Sequence, residues 1–151
     1  MTFSISLGCD HIDPASGAVG FEGEIRLGKH SESFIALGTY WTRADYEAHW
    51  HHALLRILQG HLESCLITSI QDPNRSHLLF WWPLYPEDDV IRVQNGILFF
   101  EQLNQPFSVE DPFASIPQRR VRTPEGVPIS EWEIGYSDVS QFLASRSMGD
   151  P

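Results

Sequence analysis

Cysteine is nearly absent: the 151 residues hold two, Cys9 and Cys65, far apart and without CxxC spacing. That excludes a disulfide framework or a zinc knuckle. Cys65 stands in the apolar run Ser64-Cys65-Leu66-Ile67 and is expected to be a small buried thiol. Long hydrophobic runs are missing too. None approaches the roughly 20 residues that cross a bilayer, and no charged-then-apolar leader opens the chain. The expected location is the cytoplasm. Positive charge is scarce, with 10 Lys and Arg against 20 Asp and Glu, a net charge of -10. Phosphate backbones require cationic neutralisation, so nucleic acid is not an expected partner. The one basic cluster, Gln118-Arg119-Arg120-Val121-Arg122, lacks interleaved aromatics and is expected to pair with nearby acids. Phosphate loops, GxGxxG, GxSxG and HExxH do not occur.

What is present is apolar mass: 42% hydrophobic and 12% aromatic residues, enough to offset chain entropy in one core. The expected organisation is a single α+β domain over residues 1–151, mainly antiparallel sheet, with a frayed tail from about 147 to 151. Phe3, Ile5 and Leu7 alternate with polar or small residues, the period of a half-buried strand. Asp13-Pro14-Ala15-Ser16-Gly17 reads as a turn. A second alternating run, Val19, Phe21, Gly23, Ile25 and Leu27, leads through Gly28-Lys29 into residues 33–37 as a hairpin. Thr42 and Asp45 predict a capped helix start. Tyr46, Trp50, Leu54, Ile57 and Leu58 then form one apolar stripe, and Gly60 fits the helix end. Residues 62–70 and 78–85 predict central strands of one sheet. Asn95-Gly96 predicts a hairpin between residues 90–93 and 97–100. Proline-rich residues 106–128 read as a long loop, followed by a strand at 129–134 and a short helix from about 137 to 146.

Four histidines, His49, His51, His52 and His61, invite a metal or acid/base reading. Only His49 and His52 share a helix face, short of the three or four convergent ligands that zinc requires. The Asp45 and His49 pair is ordinary helix-surface spacing. No metal, cofactor or catalytic residue is expected, and His49 and His52 are expected to be dispensable. Adjacent Trp81 and Trp82 point to opposite sides of a regular strand. One of them, assigned here as Trp82, is a candidate partner anchor; the alternative is a cover of helix or proline-rich loop. The acidic groups Glu87-Asp88-Asp89 and Glu110-Asp111 are candidate contacts for a basic target, or simply solvated turns.

The stretch Ile35-Ala36-Leu37-Gly38-Thr39-Tyr40-Trp41-Thr42-Arg43-Ala44-Asp45-Tyr46-Glu47-Ala48-His49-Trp50 resembles immunity proteins of bacterial contact-dependent growth inhibition, the CdiI class. Phe80-Trp81-Trp82-Pro83-Leu84-Tyr85 and Ser130-Glu131-Trp132-Glu133-Ile134 resemble the same group. The resemblance implies a non-enzymatic cytoplasmic antitoxin. Its partner would be the C-terminal toxin domain of a CdiA-type effector, commonly a nuclease. It implies toxin-facing roles for no particular residue. Trp82, Glu87, Asp88, Asp89, Glu110 and Asp111 are therefore candidates on charge and aromaticity alone. Two other readings stay open: a small metal-dependent hydrolase using His49 and His52, and a small-molecule-binding module lined by tryptophans.

Overall fold

Alternation builds the first sheet. In the computed structural model, which describes residues 2–149, β1 (Phe3–Ile12), β2 (Val19–Leu27) and β3 (His30–Leu37) pair antiparallel in that order. Phe3, Ile5, Ile25, Leu27 and Ala36 are buried on the inner face. Glu22, Glu24 and Ser33 face water. The first turn is where the sequence places it, with Asp13 accepting hydrogen bonds from the Ala15 N–H and the Ser16 hydroxyl. Leu27 lies opposite His30 across Gly28-Lys29, and Gly28 takes φ 66°, the conformation a two-residue hairpin asks of its glycine.

Helix α1 (Arg43–Leu58) begins as its capping residues predict. The Asp45 N–H donates to Thr42 Oγ1 at 3.2 Å, and the Asp45 carboxylate accepts the Thr42 N–H at 2.8 Å. This reciprocal box satisfies two otherwise orphaned donors. At the far end Gly60 has φ 90°. The Gly60 and His61 N–H groups donate to the Ile57 and Arg56 carbonyls, a Schellman closure. Tyr46, Trp50, Ala53, Leu54 and Ile57 form the buried stripe.

The second sheet comprises β4 (Ser64–Ser69), β5 (Leu78–Glu87), β6 (Val90–Gln94), β7 (Gly96–Phe99) and β8 (Glu131–Gly135), followed by α2 (Tyr136–Gly149). Its order is β4-β5-β6-β8, with β7 also on β5. The expected α+β class holds, but three details differ. There are two sheets rather than one. Strand β4 lies at an edge, although all six of its residues are buried. Asn95-Gly96 makes no hairpin: β6 and β7 run along the same side of β5, opposite residues 84–87 and 78–81 respectively. A tight type I′ turn needs positive φ at both central residues, and neither Asn95 nor Gly96 has it. The expected frayed tail overlaps the end of α2 and, beyond Gly149, lies outside the described residues.

Helix side chains supply what the edge of β4 lacks. The Trp50 indole N–H donates to the Ile67 carbonyl at 2.7 Å, and the Ile67 N–H donates to His49 Nε2 at 2.8 Å. The Tyr46 hydroxyl donates to the Leu37 carbonyl at 2.7 Å and accepts the Ile70 N–H at 3.0 Å. One phenol thus ties the end of β3 to the end of β4. Trp50→Ala should cost about 3–5 kcal/mol, because its indole is 2% exposed and its loss leaves a cavity. Tyr46→Phe should cost about 1–3 kcal/mol by stranding a buried carbonyl and N–H. Urea unfolding of both variants measures this; a Tyr46→Phe midpoint equal to wild type would show that the phenol bridge contributes nothing.

Candidate protein-binding surface

The second sheet is covered on both sides, which decides the fate of the adjacent tryptophans. Ser64, Leu66, Trp82, Leu84 and Val93 share the face toward α1 and the first sheet, as the cross-strand register and the Ser64 hydroxyl bond to the Ala53 carbonyl show. Cys65, Ile67, Trp81 and Tyr85 share the opposite face, under the loop of residues 103–130. That loop is pinned at several points. The Arg56 guanidinium sits 4.1 Å over the Phe113 ring, and the Tyr85 hydroxyl donates to the Pro117 carbonyl. The Gln94 amide donates to the Arg120 carbonyl. Trp81 and Trp82 are each 3% exposed. Trp82 therefore cannot be an exposed anchor: it packs 5.5 Å from Trp132, whose other side stacks on His30 at 4.4 Å. Burial also raises the Cys65 thiol pKa strongly.

Glu87 is also committed internally. Its carboxylate meets Arg92 at 3.4 Å and Arg119 at 3.1 Å. Arg119 forks onto Glu131 at 2.6 and 2.8 Å, and Arg92 pairs with Glu133. The Arg119 hydrogen bonds are the main cause that lowers the Glu131 pKa. The basic cluster thus does pair locally, through Arg119. Asp88 and Asp89 form the exposed β5–β6 turn, with Asp88 at φ 57°, a position aspartate tolerates better than most residues.

Glu110 and Asp111 do not join that turn. Glu110 accepts a hydrogen bond from Ser108, and Asp111 precedes the 3-10 turn Pro112–Ser115. Burial first, then the charges of Asp72, Glu110 and Asp45, raise the Tyr40 pKa. Glu110 accordingly lies with Asp45 and Asp72 around Tyr40, beyond the end of β4 that pairs with Phe80; the Asp88 turn lies beyond the opposite end of β5. The sequence presents Asp45 as part of a helix cap, so its place in this acidic group was not legible locally.

The open surface nearest Trp82 is a groove of about 430 Å3 between β3 and the β4–β5 face. Ser33, Ile35 and Leu37 line one wall, and Thr68, Phe80 and Asn95 line the other. Phe80 is 44% exposed and stands opposite Ile97, which is 46% exposed. On β5 the exposed aromatic is thus Phe80, two residues before the expected Trp82.

The helix histidines assemble no metal site: among the described residues no group of three or more His, Cys, Asp and Glu side chains is placed to hold an ion. His52 is exposed, 5.6 Å from the Phe113 ring. His49 is half-buried between Trp41 and Phe113 and occupied by the Ile67 N–H, so the expectation that it is dispensable is corrected. Asp45, its expected partner, is taken up in the helix cap.

The family model of the CdiI N-terminal domain matches residues 37–142. The chain belongs to that family. It is 31% identical over 133 residues to the immunity protein CdiI of Enterobacter cloacae subsp. cloacae, covering 84% of this chain and 91% of that protein. Its fold is also similar to a chain of the solved CdiA-CT/CdiI toxin and immunity complex from Enterobacter cloacae. There the TM-score is 0.85 at 28% identity, over 97% of this chain and 99% of that one. Within this CdiI-family fold the matched residues take in α1, the second sheet and the covering loop, and begin at the last residue of β3.

Acid should loosen the fold at His49. Burial lowers its pKa from 6.5 to about 3, and the neighbouring His52 adds to the shift. The folded ring is neutral, with Nε2 accepting and the proton on Nδ1. Unfolding between those two values takes up a proton, so this contribution is complete above about pH 6.5 and is lost as pH falls toward 3. The slope should approach about 1.4 kcal/mol per pH unit from this group. His49→Gln should flatten that slope, and His49→Ala should cost about 1–3 kcal/mol at neutral pH by stranding the Ile67 N–H. Urea titrations at several pH values provide the check; a slope unchanged in His49→Gln would assign the acid sensitivity elsewhere.

Proposed function

We propose that this chain is an immunity protein that binds and neutralises the C-terminal toxin domain of a CdiA-type effector in the cytoplasm. The observation that carries this reading is its likeness, over nearly the whole length of both chains, to a chain from a toxin and immunity complex. The chain acts as a stoichiometric inhibitor rather than a catalyst, in keeping with a His49 side chain and tryptophans that are absorbed into packing. No described helix is long and apolar enough to cross a membrane.

The toxin on this reading is a nuclease with a cationic surface. A net charge of -10 then steers the encounter, because opposite fields raise association rates. Asp88 and Asp89 at one end, and Glu110 and Asp111 at the other, act as rim charges. Glu87 contributes less, since two guanidiniums already neutralise it.

Co-expression with its cognate CdiA C-terminal domain should give a one-to-one complex and suppress nucleic-acid degradation by that domain. Stopped-flow kinetics should show association slowing as salt rises. Asp88→Asn with Asp89→Asn should lower the association rate by about 2–10-fold at low salt and leave dissociation unchanged. Absence of any complex would defeat the immunity reading. A complex whose association ignores both salt and these substitutions would defeat the steering role alone.

A further inference from the structure

Ahead of Leu37, strand β3 has a hydrogen-bonding edge that no group among the described residues uses. In an antiparallel hairpin closed by two residues, the pairs that exchange backbone bonds alternate with pairs that do not. Counting from Leu27 and His30, the residues of β3 that bond to β2 are His30, Glu32, Phe34 and Ala36. The N–H and C=O groups of Ser31, Ser33, Ile35 and Leu37 point the other way. Leu37 verifies the phase: its N–H donates to Ser69 Oγ at 3.3 Å and its carbonyl accepts from Tyr46, both outside the first sheet. Those two bonds close the edge at its end. Ahead of them, the backbone groups of Ser33 and Ile35 open into the 430 Å3 groove.

The groove wall opposite this rail carries Phe80, with Ile97 beside it. Around the rail stand Glu22, Glu24 and Glu32, of which Glu22 is exposed with no ion pair among the described residues. Arg26 meets Glu24, and His30 and Asn95 meet Glu32. A backbone rail, an apolar wall and a carboxylate rim together specify an extended segment with alternating side chains, apolar toward Phe80 and basic toward Glu22 and Glu24, which share one face of the first sheet. Side-chain alternation makes a strand satisfy both demands at once.

Resting on the immunity reading above, we infer that the toxin domain adds an extended, basic segment as a fourth strand beside β3. Backbone bonds to Ser33 and Ile35 supply binding strength, and the apolar contact with Phe80 sets the register, the division of labour known for strand addition. Exposed edges are available for pairing by construction.

The test uses the intact chain and its cognate CdiA C-terminal domain. Ser33→Pro deletes one outward N–H and places a ring where the added strand would lie, at an edge position where folding tolerates proline. It should weaken binding about 10–100-fold, whereas Ser33→Ala should stay within about 3-fold of wild type. Amide hydrogen exchange on the wild-type chain gives a second reading: the Ser33 and Ile35 N–H groups should slow by about 100-fold or more in the complex. If wild type binds the toxin while those amides exchange as before, strand addition is wrong and the immunity function stands. If wild type binds no toxin, both readings fall. Amides already protected in the free chain, together with a dimer in sedimentation, would assign the rail to a second copy and overturn the proposal. Should Ser33→Pro fail to fold, the exchange measurement decides by itself.

Discussion

Ile67 sits in a strand with a neighbour on one side only, in a part of the molecule where no water reaches. Its sheet partner is β5, and its other edge would leave buried N–H and C=O groups without partners, each a substantial penalty. Helix α1 resolves this with three side chains of one stripe. Tyr46, His49 and Trp50, at spacings that place them on the same helix face, bond the Ile70 N–H, the Ile67 N–H and the Ile67 carbonyl. At the other end the Ser64 hydroxyl bonds the Ala53 carbonyl, and Arg56 bonds the Glu63 carbonyl. Helix and strand are thereby registered by directional bonds as well as by packing.

That arrangement explains why the chain has two sheets. With the edge of β4 occupied by a helix, β3 cannot extend the second sheet, and the two strands meet only where Leu37 reaches Ser69 and Tyr46. The groove is the space left where they diverge. On the other face of the second sheet, the long loop replaces a regular layer, held by the Arg56–Phe113 contact, the Tyr85 hydroxyl and the Arg119–Glu131 fork.

Local signals were well legible in the sequence. The Thr42 cap, the Gly60 closure, the Asp13 turn and the Gly28 hairpin are each written in the residues that form them. Long-range pairing was not. The apolar run of β4 reads as a central strand because burial alone looks the same whether the edge is covered by a strand or by tyrosine, histidine and tryptophan. Asn95-Gly96 carries a hairpin signature, yet β5 is long enough to pair with β6 and β7 in succession, and that pairing prevails. The candidate site suffered similarly. Burial of both Trp81 and Trp82 required knowing that a proline-rich loop serves as a layer. The internal pairing of Glu87 required bringing Arg119 back across the fold. The open rail of β3 has no sequence signature, since it is defined by which strand is absent beside it.

An uncovered strand edge is also a hazard, because a second copy of the same molecule offers an identical edge. Here the rail is flanked by Glu22, Glu24 and Glu32, and two such edges brought together would set carboxylates against carboxylates within a chain whose overall charge is already -10. Like charges directly opposed across strands are destabilising, and charged flanks are a common defence against edge-to-edge aggregation. The acidity of this surface therefore works against edge-to-edge contact between copies while leaving the edge chemically open, so that self-pairing is discouraged by charge instead of being blocked by shape.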